Sequence, residues 1–120
     1  MPRPIHFELP ADDPERAGKF YTDTFGWKIT KWDGPMPYWM VDTGEGPGIN
    51  GGIMNRPHPG ATTVNTIGVE SLDPMVEKAV AAGATVTMPR MAVPGVGYLA
   101  YLNDTEGNMF GMMQMDPSAK

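Results

Sequence analysis

The segment that decides the fold is ELPADDPERAGKFYTDTFGW, which runs from Glu8 to Trp27. It predicts the end of a strand, a helix and the entry to a second strand. Asp13 is suited to cap the helix because its carboxylate can accept from the free amides of the first turn, and Pro14 at the first helical position leaves no amide unpaired. Gly26 then ends the helix, since glycine adopts the left-handed conformation that closes one.

The predicted helix is amphipathic. Its apolar residues recur three, four and eight positions apart, which puts them on one face while the charged side chains between them face water. We expect this face to pack against the sheet; its members are Ala17, Phe20, Tyr21 and Phe25.

The same pattern recurs sixty residues later. Asp73 and Pro74 repeat the helix start, and Gly83 repeats its stop. Tyr38 is matched by Tyr98 at the same offset, and each opens an apolar run that ends in a turn. The repeat predicts two copies of a strand-helix-strand-strand-strand unit, with the second helix covering residues 73–82.

Period-2 alternation and turn residues delimit eight strands. The predicted strands are Ile5–Leu9, Trp27–Lys31, Tyr38–Thr43, Ile49–Met54, Thr62–Val69, Thr85–Met88, Tyr98–Leu102 and Asn108–Met115. Between the sixth and seventh we expect a loop at 91–96, and Gly107 closes the last hairpin turn with a positive φ.

A chain of 120 residues with 41% hydrophobic content predicts one compact domain with a real core over residues 1–120. The first module covers about 1–56 and the second about 61–120. The proline-rich connection RPHPG lies between them at 56–60.

Composition narrows the possible partners and the compartment. The net charge of −5 provides no basic field for phosphates, so we expect no nucleic-acid partner. The helices are too short and polar for a membrane span, and the start MPRPIHFELP lacks the apolar run of a signal peptide. We therefore expect a cytoplasmic protein with no membrane partner. The absence of cysteine excludes disulfides, thiolate nucleophiles and thiolate metal ligands.

Alternation within the first strand places His6 and Glu8 on the face opposite Ile5, Phe7 and Leu9. The apolar side meets the helix, so the two titratable groups need water or a polar partner on the other side. They are roughly 6.5 to 7 Å apart along the strand. His6 and Glu8 are the candidates for acid–base catalysis; the alternative is a His6 that is simply hydrogen-bonded to a neighbour or to water.

The chain resembles the vicinal oxygen chelate superfamily, which includes glyoxalase I, the bleomycin resistance proteins and extradiol dioxygenases. The matching phrases are HFELPADDPERAGKFYTDTFGW, the GGI at 51–53, VESLDPMVEKAVAAGATV, PGVGYLAY and DTEGNMFGMMQ. The resemblance implies an α+β fold in which two tandem βαβββ modules form a curved mixed sheet around a cleft. It also implies a homodimer.

Metal enzymes of this superfamily place one ligand on the first and fourth strands of each module. The resemblance puts these positions at His6, Gly52, Gly111 and near 64–66. Glycine and valine offer no side-chain donor, and one imidazole is far fewer than the three protein ligands of a catalytic site. We therefore expect no tightly bound metal and no cofactor.

Loss of two ligand side chains is expected to open volume on the floor of the cleft at Gly52 and Gly111. Methionines beside them would give an apolar, adaptable lining, with a few polar groups for orientation. The predicted cleft residues are His6, Glu8, Asn50, Gly52, Met54, Thr66, Met109, Gly111 and Met113.

The first functional hypothesis is binding of a small, largely apolar or aromatic molecule in this cleft. The second is a lyase, isomerase or dioxygenase-type enzyme that uses His6 and Glu8 or a non-standard metal site. The third is a non-catalytic module with a vestigial cleft. The sequence also leaves open whether Tyr38, Tyr98 and Tyr101 face the cleft or a dimer contact.

Overall fold

The computed structural model describes residues 2–120, in which a strand-helix-strand-strand-strand unit occurs twice. The first unit consists of β1 (Arg3–Ala11), α1 (Pro14–Phe25), β2 (Lys28–Lys31), β3 (Tyr38–Asp42) and β4 (Asn50–Asn55). The second consists of β5 (Val64–Gly68), α2 (Leu72–Ala81), β6 (Thr85–Val93), β7 (Gly97–Asn103) and β8 (Met109–Met115). The predicted α+β fold with paired βαβββ modules is confirmed.

The described residues also divide into two compact parts, whose bounds differ from those of the two units by a few residues. One part is His6–Val64, and the other comprises Asn65–Lys120 together with residues 2–5. In the first unit β1 pairs with β4 in parallel, while β4–β3 and β3–β2 are antiparallel. In the second unit β5, β8, β7 and β6 repeat the same order and the same directions. The sequence repeat is therefore also a repeat of strand pairing.

Helix α1 begins and ends where the sequence predicts. The side chain of Asp13 accepts a hydrogen bond from the amide of Arg16 at 3.1 Å, and Pro14 follows at the first helical position. Gly26 closes the helix with a φ of 75°, which a residue with a side chain adopts at a cost. The helix covers the buried core of the first unit, formed by Ala11, Val41 and Ile53.

The apolar face of α1 is narrower than its sequence predicts. Ala17 and Tyr21 pack against the core, but Phe20 and Phe25 are 58% and 60% exposed. Phe20 meets Tyr21 edge-on, and Phe25 packs against the ring of Trp27. The expectation that both phenylalanines face the sheet is wrong, because the buried stripe is centred on Pro14 and Gly18.

Helix α2 starts one residue earlier than predicted, at Leu72, after Ser71 as the N-cap. Ser71 makes no side-chain capping bond. Instead, Gln114 on β8 accepts from the Leu72 amide at 2.8 Å, so a strand side chain satisfies the first turn. Asp73, the predicted cap, lies in the first turn and forms an ion pair with Arg90 at 2.8 Å. The core beneath α2 contains Val69, Leu72, Ala100, Leu102 and Met112.

Strand β6 replaces the first half of the loop predicted at 91–96. It runs to Val93 and pairs with β7 across two register irregularities, between Val86 and Met88 and between Met88 and Met91. Pro89 lies within the second irregularity. The regular hydrogen bonds between the strands are already interrupted there, so the missing amide proton of proline breaks none of them. The irregularity therefore accommodates Pro89 within the strand. None of the helices in residues 2–120 is long and apolar enough to cross a membrane.

Candidate functional site

The sheet face opposite α1 in the first unit carries the predicted site. Strand register places Glu8 beside Gly52, and Gly52 beside Met40, in one row across β1, β4 and β3. Adjacent residues on these strands point the other way, because Val41 and Ile53 belong to the core under α1. The row is thus turned away from the helix.

Tyr38 joins the two predicted titratable groups. Its hydroxyl lies 2.7 Å from Nε2 of His6 and donates to Oε2 of Glu8 at 3.0 Å. Glu8 is buried, with 7% of its surface exposed, so this bond supplies a partner to a carboxylate removed from water. His6 and Glu8 are therefore linked through a phenol, which spans the distance that separates them along the strand.

Gly52 makes this arrangement possible. Tyr38 is paired with Met54, two residues along β4 from Gly52. Its ring extends over Gly52 to reach His6 and Glu8. A Cβ at position 52 would collide with the hydroxyl and ring of Tyr38. The expectation that Gly52 opens volume is wrong: the phenol of a neighbouring strand occupies the space that the missing side chain leaves.

The equivalent glycine of the second unit is less tightly covered. A Cβ on Gly111 would lie 3.0 Å from Oγ1 of Thr66 and 3.2 Å from Cε1 of Tyr101. Register places Thr66 and Tyr101 on either side of Gly111, and alternation puts Met109 and Met113 on the same face. Tyrosines therefore lie beside both glycines, with overlap at Gly52 and close contact at Gly111.

The two other predicted residues of the first unit are placed differently. Asn50 is exposed, and its side-chain oxygen accepts from the amide and the hydroxyl of Thr43 at 2.9 and 3.2 Å. This oxygen fixes the connection between β3 and β4, and a role of Asn50 in ligand binding stays a prediction. Met54 is half-buried and adjacent to Tyr38 in the register.

Burial sets the charge of His6. Removal from water lowers the pKa of its imidazole below the ordinary value of 6.5, and the nearby charge of Glu8 opposes this only in part. The imidazole is therefore neutral at neutral pH. A neutral ring has one protonated nitrogen and one lone pair, so it can both donate and accept.

Sequence reasoning did not identify Tyr38 as the centre of the site, nor Trp32 as its neighbour. The Trp32 ring meets the Tyr38 ring edge-on, with centroids 6.1 Å apart and planes at 77°. The rings of His6 and Tyr38 are nearly parallel, at 15°. The pairing of β3 with β4 was the available signal, because a tyrosine one row from a glycine can extend over it.

These residues do not fit the metal site that the superfamily's enzymes use. Gly52 supplies no donor, Tyr38 covers its position, and Nε2 of His6 is engaged with the phenol. Within residues 2–120 no three His, Asp or Glu side chains come together as a possible ion-binding group. Position 52 is instead covered by the hydrogen-bonded ring of Tyr38.

Comparison with known proteins identifies the family. Residues 3–44 match the model of the N-terminal part of bleomycin resistance-like proteins. A glyoxylase-like domain-containing protein of Didymella fabae is 34% identical over 110 residues, which cover 84% of each chain. The chain belongs to the vicinal oxygen chelate superfamily. The predicted resemblance is thus confirmed.

One further relative and one solved structure show how this vicinal oxygen chelate protein compares in length and fold. CFP32 of Mycobacterium tuberculosis, named as a proposed glyoxylase, is 31% identical over 121 residues, but the chain spans only 45% of its length. A methylmalonyl-CoA epimerase solved with methylmalonyl-CoA and NH4+ has a TM-score of 0.74 at 13% identity, with 100% and 99% of the two chains covered. At this identity the likeness concerns the fold.

Proposed function

We propose that this protein binds a small, largely apolar or aromatic molecule on the sheet face of the first unit that carries His6, Tyr38 and Glu8. One observation carries the proposal: the Tyr38 hydroxyl lies where a metal-ligating side chain at position 52 would be, and it is hydrogen-bonded to both His6 and Glu8. Small-molecule sites usually combine apolar side chains with a few polar groups held in fixed positions.

The surroundings of this corner support an apolar occupant. Met40, next to Gly52, is 51% exposed, and Met36 in the preceding loop is 57% exposed. Methionine is flexible and polarisable, so it adapts to ligands of different outline. Trp32 adds an aromatic surface beside Tyr38. The epimerase that shares this fold is described with methylmalonyl-CoA bound, which favours a small-molecule ligand but does not bear on its polarity.

Amide chemical-shift mapping tests the proposal. A library of aromatic fragments is screened against the 15N-labelled protein at millimolar concentration, and the shifted amides are assigned. We expect shifts at His6, Met40 and Gly52. Absence of binding, or shifts confined to the groove beside Arg16 and Arg56 at the start of α1, would contradict the proposed site.

Proton transfer is the second candidate function, and the same hydrogen-bond chain favours it. If His6 took a proton from a substrate, the phenol of Tyr38 and the carboxylate of Glu8 would stabilise the resulting cation. The test is deuterium incorporation from D2O into the acidic C–H of methylmalonyl-CoA, followed by NMR. Exchange that His6→Gln abolishes would favour an enzyme; exchange at the background rate favours binding alone.

We also propose a homodimer. The mycobacterial relative is more than twice as long as the matched segment, which leaves room for a second copy of this fold in its chain. A dimer of the present chain would contain the same two copies of the fold. Light scattering coupled to gel filtration tests this directly, with a monomer mass of 13.0 kDa as the contradicting result.

A further inference from the structure

The hydrogen bonds at Tyr38 determine where the protons are. A carboxylate can only accept, so the single phenolic proton of Tyr38 is donated to Glu8. The short contact between the phenolic oxygen and Nε2 of His6 then requires a proton on Nε2. His6 is therefore the tautomer that carries its proton on Nε2 and a lone pair on Nδ1.

The lone pair of His6 is available to a ligand. The hydrogen bonds found for His6 in residues 2–120 involve Nε2, and no buried side-chain nitrogen or oxygen in that range lacks a partner. Because Nδ1 makes none of these bonds, it is not among the fully buried atoms, and part of its surface is accessible. Because burial lowers the pKa of the imidazole, Nδ1 stays unprotonated at neutral pH and accepts rather than donates.

The charge on this face disfavours anions. Alternation places one cation of β2, Lys28, on the same face, and it lies directly opposite Asp42. Lys31 is on the other face, above the ring of Trp39. Glu8 adds a carboxylate to the site itself. An acidic ligand would therefore meet an acceptor nitrogen and negative charge, with no unopposed cation from these strands.

The aromatic groups define the shape of the occupant. The nearly parallel rings of His6 and Tyr38 form one wall, and the Trp32 ring stands at 77° to that of Tyr38. Flat walls at a steep angle complement a planar molecule that stacks on one and meets the other edge-on. Met40 provides an adaptable apolar contact beside Gly52.

We propose that the ligand is a planar aromatic molecule that donates a hydrogen bond to Nδ1 of His6: a phenol, an aryl amine or a heterocycle with an N–H, neutral or cationic. This rests on the proposed function and adds a chemical requirement to it. The requirement separates this chain from the epimerase with the same fold, whose described ligand is an acidic thioester.

Three naphthalenes with one ring system test the requirement. 2-Naphthol donates a hydrogen bond, 2-methoxynaphthalene only accepts, and 2-naphthoate is an anion. We expect titration of the wild-type protein by calorimetry to give naphthol an affinity roughly three- to tenfold above the methyl ether, the usual effect of one hydrogen bond. Naphthoate should bind more weakly still.

The outcomes separate the two proposals. Equal affinities of naphthol and its ether would overturn the donor requirement and leave aromatic binding in place, as would a preference for naphthoate. Failure of all three to bind would overturn the proposed function as well. In His6→Phe the discrimination between naphthol and the ether should vanish. His58→Gln, at the exposed histidine of the connecting loop, should keep it.

Discussion

Substitution of Gly52 by alanine tests the packing of Tyr38 in isolation. A methyl group at this position would overlap the Tyr38 hydroxyl and ring, so the phenol must move away. Its hydrogen bonds to His6 at 2.7 Å and to Glu8 at 3.0 Å are then lost. The buried carboxylate of Glu8 loses the donor that this phenol provides.

The expected cost follows from these two bonds. A neutral hydrogen bond contributes roughly 0.5 to 1.5 kcal/mol and one to a charged group roughly 1.5 to 3 kcal/mol. Water reaches the half-buried His6 and replaces part of the loss, so we expect Gly52→Ala to lower the free energy of unfolding by about 2 kcal/mol. In a Tyr38→Ala background the atoms nearest to the methyl group are removed, and the same substitution should cost about zero.

Urea denaturation of the four proteins in this cycle gives the coupling energy, and thermal denaturation should show a decrease of about 8 °C for Gly52→Ala alone. Gly111→Ala is the matched control in the second unit, since its methyl group would lie 3.0 and 3.2 Å from Thr66 and Tyr101, a tight approach that needs only a small shift of these neighbours. Its cost should be about 1 kcal/mol. An equal cost of Gly52→Ala with and without Tyr38 would refute the reasoning.

Three further predictions concern pH and the helix starts. Burial lowers the pKa of His6, so as the pH drops below 6.5 the unfolded chain takes up a proton on this imidazole before the folded protein does. The free energy of unfolding should therefore fall over this range. Denaturation at pH 7.5 and 5.5 should show a smaller loss in His6→Asn than in the wild type. Asp13→Ala should cost about 1 kcal/mol of stability, whereas Ser71→Ala, which removes no capping bond, should cost less than about 0.5 kcal/mol. Gln114→Ala should cost about 1 to 3 kcal/mol, because it leaves the buried Leu72 amide without its acceptor, and Gln114→Glu should restore most of it by urea denaturation.

The architecture could be predicted because it depends on local signals that occur twice. Asp13 and Gly26 mark the ends of α1 by their own conformational preferences, and the sixty-residue repeat reveals the second module. The errors arose where tertiary contacts decide. Phe20 and Phe25 fit the helical period but lie beside the buried stripe, and Pro89 ends no strand because a bulge accommodates it.

The site was predicted only in part for a similar reason. Alternation places His6 and Glu8 on one face, which requires only the first strand. The role of Tyr38 depends on the register of β3 against β4 and on the direction of its side chain, and neither is encoded within one strand. Gly52 was therefore interpreted as an open position, although its lack of a side chain is what admits the phenol.

The most direct measurement of the central claim is 15N NMR of the His6 side chain at neutral pH, by correlation of the ring nitrogens with the carbon-bound protons. If the Tyr38 hydroxyl bonds both His6 and Glu8, Nε2 carries the proton and Nδ1 has the shift of an unprotonated nitrogen, and Tyr38→Phe weakens this bias. A wild-type imidazole that carries its proton on Nδ1 would contradict the account.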